Sequence, residues 1–447
     1  MKSFPPLRAV RQLGSVQRVL GVQPEAVQPG GIQPGVARTR ASESGSRSDK
    51  RPPFKPACCT RPSSAPQRAR RIAIIFLLLV SSAPAARAAD SWPVFRGDPA
   101  CDGISPERLP ERLEVLWKRS FKDAAFESTA VIADGVVYIG GLDGQLRALD
   151  LADGKEKWHF DRELGFKAPA AVRDGLVYIG DADGNFFCLE AATGKQRWQV
   201  ATEAEINAGA NFFGSAVLVG SQDGSLYALD CQTGKTQWKY SIDNMIQCTP
   251  TVIENRAFIA GCDGKLHIIP MEAAQPAKLE RNPGTSVGKV TTVDIQDPTG
   301  ATPAAAGDCV YFGTQGSRFL CVDWRKAKIE WTFEPQRKQP FQSSAAVSGD
   351  LVVVGGRDRL VHGLEAKTGH ERWNFPTRGR VDSSPVISGS RVFIGSSDGR
   401  LYGLDLLSGR KVWEYEAGGA FTSSPAVAGG RLVIANDDGD VYCFGSR

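Results

Sequence analysis

The sequence predicts an all-β protein whose main part is an eight-bladed β-propeller of four-stranded antiparallel blades. A unit of about 40 residues recurs eight times between residue 128 and the C-terminus. Each unit has a run of small residues, an apolar run, an Asp-Gly turn and a pattern close to Leu-Asp-x-x-Thr-Gly-Lys-x-x-Trp, as in residues 225–238. A period of this length with two hairpins per unit is typical of propeller blades, which bury their faces only against neighbouring blades.

Each unit opens with three consecutive small residues that precede an apolar run. We predict that these small residues belong to the innermost strand of the blade. Strands converge around a propeller axis, so the space for side chains is smallest there. The small runs are 128–130, 168–170, 208–210, 248–250, 301–303, 343–345, 383–385 and 423–425.

A turn with a recurring aspartate follows the second apolar run. Six of the eight turn residues precede a glycine, which predicts two-residue hairpins with positive φ. We therefore interpret the aspartates as turn residues and not as calcium ligands, acids or bases. The turn positions are Asp143, Asp183, Asp223, Asp263, Gly316, Asp358, Asp398 and Asp438.

A tryptophan ends most units, and we predict that its indole lies in the outer strand, packed between adjacent blades where a glycine permits close approach. The predicted docking residues are Trp117, Trp158, Trp198, Trp238, Trp331, Trp373 and Trp413, with Thr292 at this position in one unit. The chain starts its first repeat with the Trp117 strand and ends partway through the last repeat. We therefore expect the N-terminal strand to complete the last blade and remove the free edge.

The N-terminal part of the chain differs in composition from the repeats. Residues 1–71 are rich in Pro, Gln, Gly, Ser and Arg without apolar periodicity, which predicts a disordered basic extension. Residues 72–89 combine an apolar run with small residues after three arginines, a pattern typical of a signal peptide. The apolar run is shorter than the roughly 20 residues of a membrane span, so cleavage is favoured over a signal anchor. Residues 90–112 form a lead-in segment, and residues 113–447 form the propeller.

Localisation and charge follow from this division. We expect a periplasmic or otherwise extracytoplasmic protein, anchored in the membrane only if the segment 72–89 is not cleaved. The net charge of the whole chain is +5, but Lys and Arg concentrate in residues 1–88, so the remainder is negatively charged. A mildly acidic propeller predicts no nucleic-acid partner.

The pattern Ala-x-Asp-x-x-Thr-Gly-x-x-x-Trp, as in residues 228–238, resembles the tryptophan-docking motif of the pyrroloquinoline-quinone (PQQ) repeat family. The segment 92–97, Trp-Pro-Val-Phe-Arg-Gly, also resembles the opening of exported bacterial propellers of this family. The resemblance covers residues 113–447 and implies the fold more strongly than the activity. The family includes PQQ-dependent dehydrogenases and the propeller lipoprotein of the outer-membrane β-barrel assembly machine.

A PQQ-dependent alcohol or sugar dehydrogenase needs a quinone pocket, a calcium held by carboxylate and amide oxygens, and an Asp base. The sequence indicates few of these parts. Seven units are near minimal length, and the only adjacent cysteines, Cys58 and Cys59, precede the signal segment. We therefore predict no catalytic residue and no cofactor, with PQQ and calcium expected only if the dehydrogenase alternative holds.

Histidines and cysteines do not suggest a metal site or a disulfide framework. The four histidines, His159, His267, His362 and His370, occupy different blade positions, so we expect no metal cluster. Cys188, Cys321 and Cys443 share a position with small residues of other blades and are interpreted as buried small side chains. A disulfide between Cys248 and Cys262, which flank one hairpin, stays an alternative.

A variable position directly before each small run predicts a polar ring at one mouth of the propeller channel. The position before it is almost always apolar, which predicts an apolar collar beneath the ring. The candidate ligand- or partner-binding residues are Glu127, Lys167, Asn207, Gln247, Gln342, Asp382 and Thr422, with Gly300 in the fifth unit. Solvated loop ends are the alternative interpretation of these residues. Lys338, Arg378 and Arg380 extend the candidate site toward an anionic partner, and the insertion in the fourth unit is either a partner-binding loop or neutral decoration.

The sequence therefore predicts an exported, non-catalytic scaffold or binding module whose partner is another envelope protein. Envelope or outer-membrane protein assembly is one role that this prediction includes. A PQQ-dependent dehydrogenase and a ligand-binding sensor are the alternatives. Membrane contact is expected only through an uncleaved N-terminal segment.

Overall fold

The computed structural model describes residues 90–271 and 290–447. The predictions for residues 1–71 and 72–89 and for most of the insertion in the fourth unit lie outside the described residues. Within the described ranges, the strands form eight antiparallel sheets of four, and one further short strand joins one of these sheets. The predicted eight-bladed propeller is confirmed. No helix in these ranges has the length and apolar character needed to cross a membrane.

Each blade runs from an innermost to an outer strand in chain order. The innermost strands are β3 (Val131–Ala133), β7 (Ala171–Arg173), β11 (Asn211–Phe213), β15 (Thr251–Ile253), β19 (Ala304–Ala306), β23 (Ala346–Ser348), β27 (Val386–Ser388) and β31 (Ala426–Ala428). The second strands are β4 (Val136–Gly140), β8 (Leu176–Gly180), β12 (Ala216–Gly220), β16 (Arg256–Ala260), β20 (Cys309–Gly313), β24 (Leu351–Gly355), β28 (Arg391–Gly395) and β32 (Arg431–Ala435).

The outer half of each blade is less apolar. The third strands are β5 (Gln145–Asp150), β9 (Asn185–Glu190), β13 (Ser225–Asp230), β17 (Lys265–Pro270), β21 (Phe319–Asp323), β25 (Leu360–Glu365), β29 (Arg400–Asp405) and β33 (Asp440–Gly445). The outer strands are β6 (Glu156–Asp161), β10 (Gln196–Ala201), β14 (Thr236–Ser241), β18 (Thr291–Asp294), β22 (Lys328–Phe333), β26 (Glu371–Pro376), β30 (Lys411–Glu416) and, from the N-terminal side, β2 (Glu114–Ser120). We number the blades 1 to 8 by their innermost strands.

The eighth blade contains both ends of the propeller. Strand β2 pairs antiparallel with β33, with Trp117 opposite Cys443. The outer edge of β33 is therefore covered by a strand that precedes the first repeat, and the side chain of Lys118 adds an ion pair to Asp440 at 2.8 Å.

Tryptophans of the outer strands join neighbouring blades. The indole nitrogen of Trp158 donates a hydrogen bond to the carbonyl of Ala191 in the next blade at 2.9 Å, and Trp331 does the same to Ala366 at 2.9 Å. A glycine of the next blade lies against the indole, since a Cβ placed on Gly194 would come within 2.6 Å of Trp158. A side chain at this glycine would push the blades apart.

The hairpins between the second and third strands differ from the prediction. The N–H of Gly141 donates to the carbonyl of Gln145 at 2.9 Å, so three residues and not two form the loop, and only the last of them has positive φ. This geometry is a turn followed by one left-handed residue. Gly144 takes that position in blade 1, but Ser317 and Arg359 take it in blades 5 and 6, with φ of 67° and 72°.

The lead-in segment forms a belt around the inner strands, which we call the N-terminal belt (residues 92–107). Six carbonyls of the belt accept a backbone hydrogen bond from the middle of an inner strand. The donors and acceptors are Ile132 to Trp92, Val172 to Pro93, Val252 to Pro99, Ala305 to Ala100, Val347 to Asp102 and Ile387 to Gly103, at 2.7 to 2.9 Å. Strand β1 (Ile104–Ser105) then pairs in parallel with β27, and Glu107 accepts from Gly430 at 2.5 Å. The belt therefore contacts the blades in chain order.

Blade 3 reaches the belt through a side chain. The amide of Asn211 donates to the carbonyl of Pro99 at 2.9 Å, and its oxygen accepts from the N–H of Phe212 at 2.8 Å. One amide side chain thus replaces the main-chain link that the other inner strands make, and leaves no buried N–H of that strand position unpaired.

Candidate functional site

The small runs and the variable positions line a cup on the propeller axis, which we call the mouth cup. Its volume is about 280 Å³, and every blade contributes one residue to an upper ring and one to a lower ring. The upper ring consists of the predicted residues Glu127, Lys167, Asn207, Gln247, Gly300, Gln342, Asp382 and Thr422. The structure therefore places all of these residues around one cavity, and whether the cavity binds a partner stays a prediction.

The upper ring has three charged members: Glu127 is exposed, and Lys167 and Asp382 are held by neighbouring loops. Lys167 forms an ion pair with Glu205 at 2.8 Å, and this hydrogen bond raises the pKa of Lys167. Asp382 accepts from Arg357 at 2.7 Å and from Arg380 at 3.0 Å. Both charges stay near the rim, but each is largely compensated by its own partner.

The remaining ring members offer neutral hydrogen-bonding groups. A Cβ on Gly300 would lie 3.0 Å from the side-chain oxygen of Gln247 and 3.8 Å from that of Gln342, so both amides reach toward the glycine of blade 5. Thr422 donates to Asp437 at 2.6 Å, and burial raises the pKa of Asp437. The rim thus presents amide groups with freedom to reorient toward a bound group.

The lower ring is a chain of hydroxyl groups that connects seven consecutive blades. Each hydroxyl oxygen accepts the backbone N–H of the equivalent residue in the preceding blade, at 2.9 to 3.1 Å. The accepting residues are Thr249, Thr302, Ser344, Ser384, Ser424 and Thr129. The chain is interrupted only at Pro169 of blade 2, which has neither an N–H nor a hydroxyl group. The hydroxyl groups act only as acceptors in these bonds, and their residues line the cup.

Phe95 of the N-terminal belt also lines the cup. It lies at the interruption of the hydroxyl chain, since a Cβ on Gly209 would be 3.4 Å from Phe95 and 3.6 Å from Pro169. The repeat pattern does not predict Phe95 as part of the site, because the residue precedes the first repeat. Its only signal in the sequence is the segment 92–97, which carries a family resemblance.

The predicted apolar collar beneath the ring is wrong. These side chains are 0 to 1 % exposed and do not line the cup. Six of the eight pack against the glycine that ends a second strand, as Ile246 does at Gly220 and Phe421 at Gly395. In blades 4 and 8 the second strand ends in alanine instead, at Ala260 and Ala435. The wide space between diverging blades requires a large apolar residue there, so the position serves packing and not binding. The set is Phe126, Phe166, Ile206, Ile246, Thr299, Phe341, Val381 and Phe421.

The histidines serve the blades individually. His362 is buried between Asp358 at 3.1 Å and Glu371 at 2.6 Å, and His267 contacts Asp263 at 3.0 Å. His159 on blade 1 and His370, in the turn between β25 and β26 of blade 6, are exposed. Within residues 90–271 and 290–447, no group of three His, Cys, Asp or Glu side chains is placed to share a metal ion.

The eight cysteines of the described ranges are not paired in disulfides, and Cys309 alone among them is partly exposed. A hydrogen bond from the Cys321 thiol lowers the pKa of Cys309 to about 7.

We expect Cys309 to be alkylated by iodoacetamide faster than any other of these cysteines, because the thiolate is the nucleophile. Its rate should rise steeply between about pH 6 and pH 8 and then level off. Mass spectrometry of the folded protein measures this, with Cys309→Ser as the control; a rate still rising tenfold per pH unit above pH 8 would contradict the lowered pKa.

The family model of the outer membrane protein assembly factor BamB matches the chain at residues 113–205, 165–345 and 331–446. These overlapping ranges span the propeller and exceed half of the chain. The chain belongs to the BamB family. The predicted membership of the PQQ-repeat propellers is thereby confirmed, and a protein-interaction role is the function that this family supports.

Solved structures with the same fold include a BamB and two dehydrogenases. BamB from Moraxella catarrhalis is 20% identical, with 75% of this chain and 98% of that chain covered and a TM-score of 0.62. The quinohemoprotein alcohol dehydrogenase from Comamonas testosteroni is 15% identical, with 81% and 82% covered and a TM-score of 0.66. A europium-containing methanol dehydrogenase is 13% identical, with 80% and 99% covered and a TM-score of 0.62. At these identities the similarity establishes the fold alone. No curated protein gave a significant match.

Proposed function

We propose that this BamB-family propeller is exported and acts as a non-catalytic protein-interaction module of the cell envelope, with the face around the mouth cup as its binding surface. The observation that carries the proposal is the family match over the whole propeller. The proposed partner is another envelope protein. Outer-membrane protein assembly is one process in which such an interaction would serve.

The geometry of the two faces supports the choice of surface. The N-terminal belt covers backbone groups of the inner strands. The residues of the upper ring are half-buried to exposed, and their side chains differ from blade to blade. Different side chains around one concave rim permit specific recognition, because each blade contributes a different hydrogen-bonding group.

The dehydrogenase alternative is supported by the shared fold, but the residues of the cup do not match a calcium-bound quinone. Calcium takes six to eight oxygen ligands. Glu127, Asn207 and Asp382 stand on blades 1, 3 and 7, and Asp382 is already bonded to two arginines. The donor groups are therefore dispersed around the ring, and we derive no reaction step from them.

The test is site-specific photo-crosslinking of the full chain in cells. A photoreactive amino acid replaces Gln247 or Gln342 at the rim, and Lys195, an exposed turn residue on the opposite face, is the matched control. We expect one discrete envelope protein to be crosslinked from the rim positions and not from Lys195. Equal crosslinking from both faces would contradict the proposed surface.

A second measurement addresses the enzymatic alternative with the same protein. Calorimetry with PQQ and calcium, combined with dye-linked oxidation of alcohols and sugars, should show neither binding nor turnover. PQQ binding with turnover would overturn the non-catalytic proposal and direct attention to the residues of the cup.

A further inference from the structure

Six basic side chains converge on the mouth face beside blades 6 and 7. They come from the loop before β23, from the turn between β24 and β25, and from the loop between β26 and β27. Two adjoining hollows of about 470 Å³ each lie among them and share Gln339, Arg357 and Arg359. We call this surface the basic furrow; its basic residues are Arg337, Lys338, Arg357, Arg359, Arg378 and Arg380.

Half of these charges are compensated by neighbouring carboxylates. Lys338 pairs with Glu334 at 3.0 Å, while Arg357 and Arg380 share Asp382. The exposed side chains of Arg337, Arg359 and Arg378 form no ion pair with the part of the chain that the structure describes. The furrow therefore has a net positive charge, in contrast to the mildly acidic propeller that carries it.

Arg359 stands where six of the eight blades have glycine. Its φ of 72° is a left-handed conformation that strains a residue with a side chain relative to glycine. A glycine would relieve this strain without changing the turn, so the blade gains nothing structural from the arginine. The guanidinium group on the furrow is the property that distinguishes this turn from the others.

We propose that the basic furrow binds an extended, Asp- and Glu-rich segment of a partner protein. This inference rests on the proposed interaction function and specifies the chemistry of the partner. Guanidinium groups recognise carboxylates through paired, charge-assisted hydrogen bonds. The unpaired arginines lie on successive loops of two blades, so a strand-like acidic segment crossing the furrow meets them in turn.

The surroundings favour a peptide over an anionic membrane. The exposed large apolar residues of the described ranges are Leu142, Leu164, Met245, Leu407 and Val412, and none belongs to the loops of the furrow. Stable membrane attachment needs apolar insertion or a second anchoring signal besides basic charge. The carboxylates of Glu334 and Asp382 also divide the positive surface, which suits separate carboxylates better than a continuous layer of headgroups.

The experiment measures binding of a fluorescein-labelled ten-residue peptide of alternating Glu and Ala to the full chain by fluorescence anisotropy. The variant combines Arg337→Gln, Arg359→Gly and Arg378→Gln. The control combines Lys155→Gln, Lys195→Gln and Arg410→Gln, which removes three exposed basic charges from turns between third and outer strands. We expect the furrow variant to bind at least tenfold more weakly, the control to bind within twofold of the parent, and parent binding to weaken as salt is raised.

The melting temperature of the triple variant controls for folding. It should not fall below that of the parent, because Arg359→Gly removes backbone strain and the other two substitutions are at exposed side chains. Lost binding with an unchanged melting temperature then cannot be attributed to unfolding. Equal weakening in the furrow and control variants, or equal binding of a Gln-Ala peptide, would overturn the proposal. Furrow-dependent binding to phosphatidylglycerol vesicles without binding to the peptide would also overturn it in favour of a lipid ligand.

The photo-crosslinking experiment separates this inference from the proposed function. If the furrow variant is still crosslinked from Gln342 to the same protein while its peptide affinity is unchanged, the furrow proposal fails and the interaction function stands. If the parent gives no crosslink, the proposed function fails whatever the peptide does. Loss of both peptide binding and the crosslink in the furrow variant supports both.

Discussion

The variant Trp331→Ala should lower the free energy of unfolding by about 3 to 5 kcal/mol. Trp331 is 9 % exposed, and its indole packs on Tyr311 and Phe319 of its own blade and on Gly369 of the next. Truncation removes this apolar contact and leaves the carbonyl of Ala366 without the indole N–H that it accepts at 2.9 Å. Guanidinium chloride unfolding followed by circular dichroism measures the loss.

The chain contains its own control for this prediction. The sequence spacing assigns Thr292 to this position in blade 4, but the strand register places Thr291 there, opposite Ile268 as Trp331 is opposite Cys321. Thr291 is exposed in the short outer strand β18. Thr291→Ala should change the free energy of unfolding by less than about 0.5 kcal/mol. A loss below about 1 kcal/mol for Trp331→Ala would mean that blade docking is carried by other contacts, and the docking interpretation of the tryptophans would fail.

The variant Gly103→Ala should also be strongly destabilising, by about 2 to 5 kcal/mol. Gly103 has a φ of 69°, and an added Cβ would meet the buried guanidinium of Arg96 and lie 3.1 Å from Ala346. Arg96 cannot easily move, because it donates at 2.9 Å to Ala345 and also to Pro385. The cost combines backbone strain of about 1 to 2 kcal/mol with overpacking of about 1 to 3 kcal/mol.

Gly135→Ala separates these two contributions. Gly135 has a similar φ of 72°, but an added Cβ there meets nothing within 4 Å. This variant should therefore lose only the strain, about 1 to 2 kcal/mol, in the same thermal or denaturant unfolding assay. Equal losses in the two variants would show that the belt yields around Arg96 and that the N-terminal belt is not rigidly packed.

The repeat explains why much of the architecture was predictable and why the belt was not. Trp158, Asp223 and the small runs recur at fixed spacing, and each recurrence reports the same local packing requirement, so eight copies identify the blade and its ring. Phe95, Arg96 and Asn211 occur once. Their positions are determined by contacts with inner strands distant in sequence, and a single copy has no pattern from which those contacts can be inferred.

The site shows the same division. The residues around the cup were predictable because the variable position precedes a small run in every blade. The sequence does not show that the predicted collar is packed between blades. Apolar residues such as Ile246 and Phe421 would suit the wall of the channel as well as the space between blades, and the alternation of polar and apolar residues does not distinguish these two environments. The sequence indicates only part of the basic furrow, namely Lys338, Arg378 and Arg380. Arg357 and Arg359 join them through the arrangement of two blades.

The N-terminal belt has a consequence for the order in which the molecule folds. The residues of the belt precede all eight blades in the chain, yet they contact every blade up to the last, where Gly430 donates to Glu107 across 323 positions of the chain. Such distant pairing carries a large loop-closure cost, which slows folding. Synthesis of the final blade must therefore precede closure of the belt, and until then the backbone groups of the inner strands that bond to the belt stay open. The first blades should thus be the last to have their hydrogen bonds completed, although they are synthesised before the others.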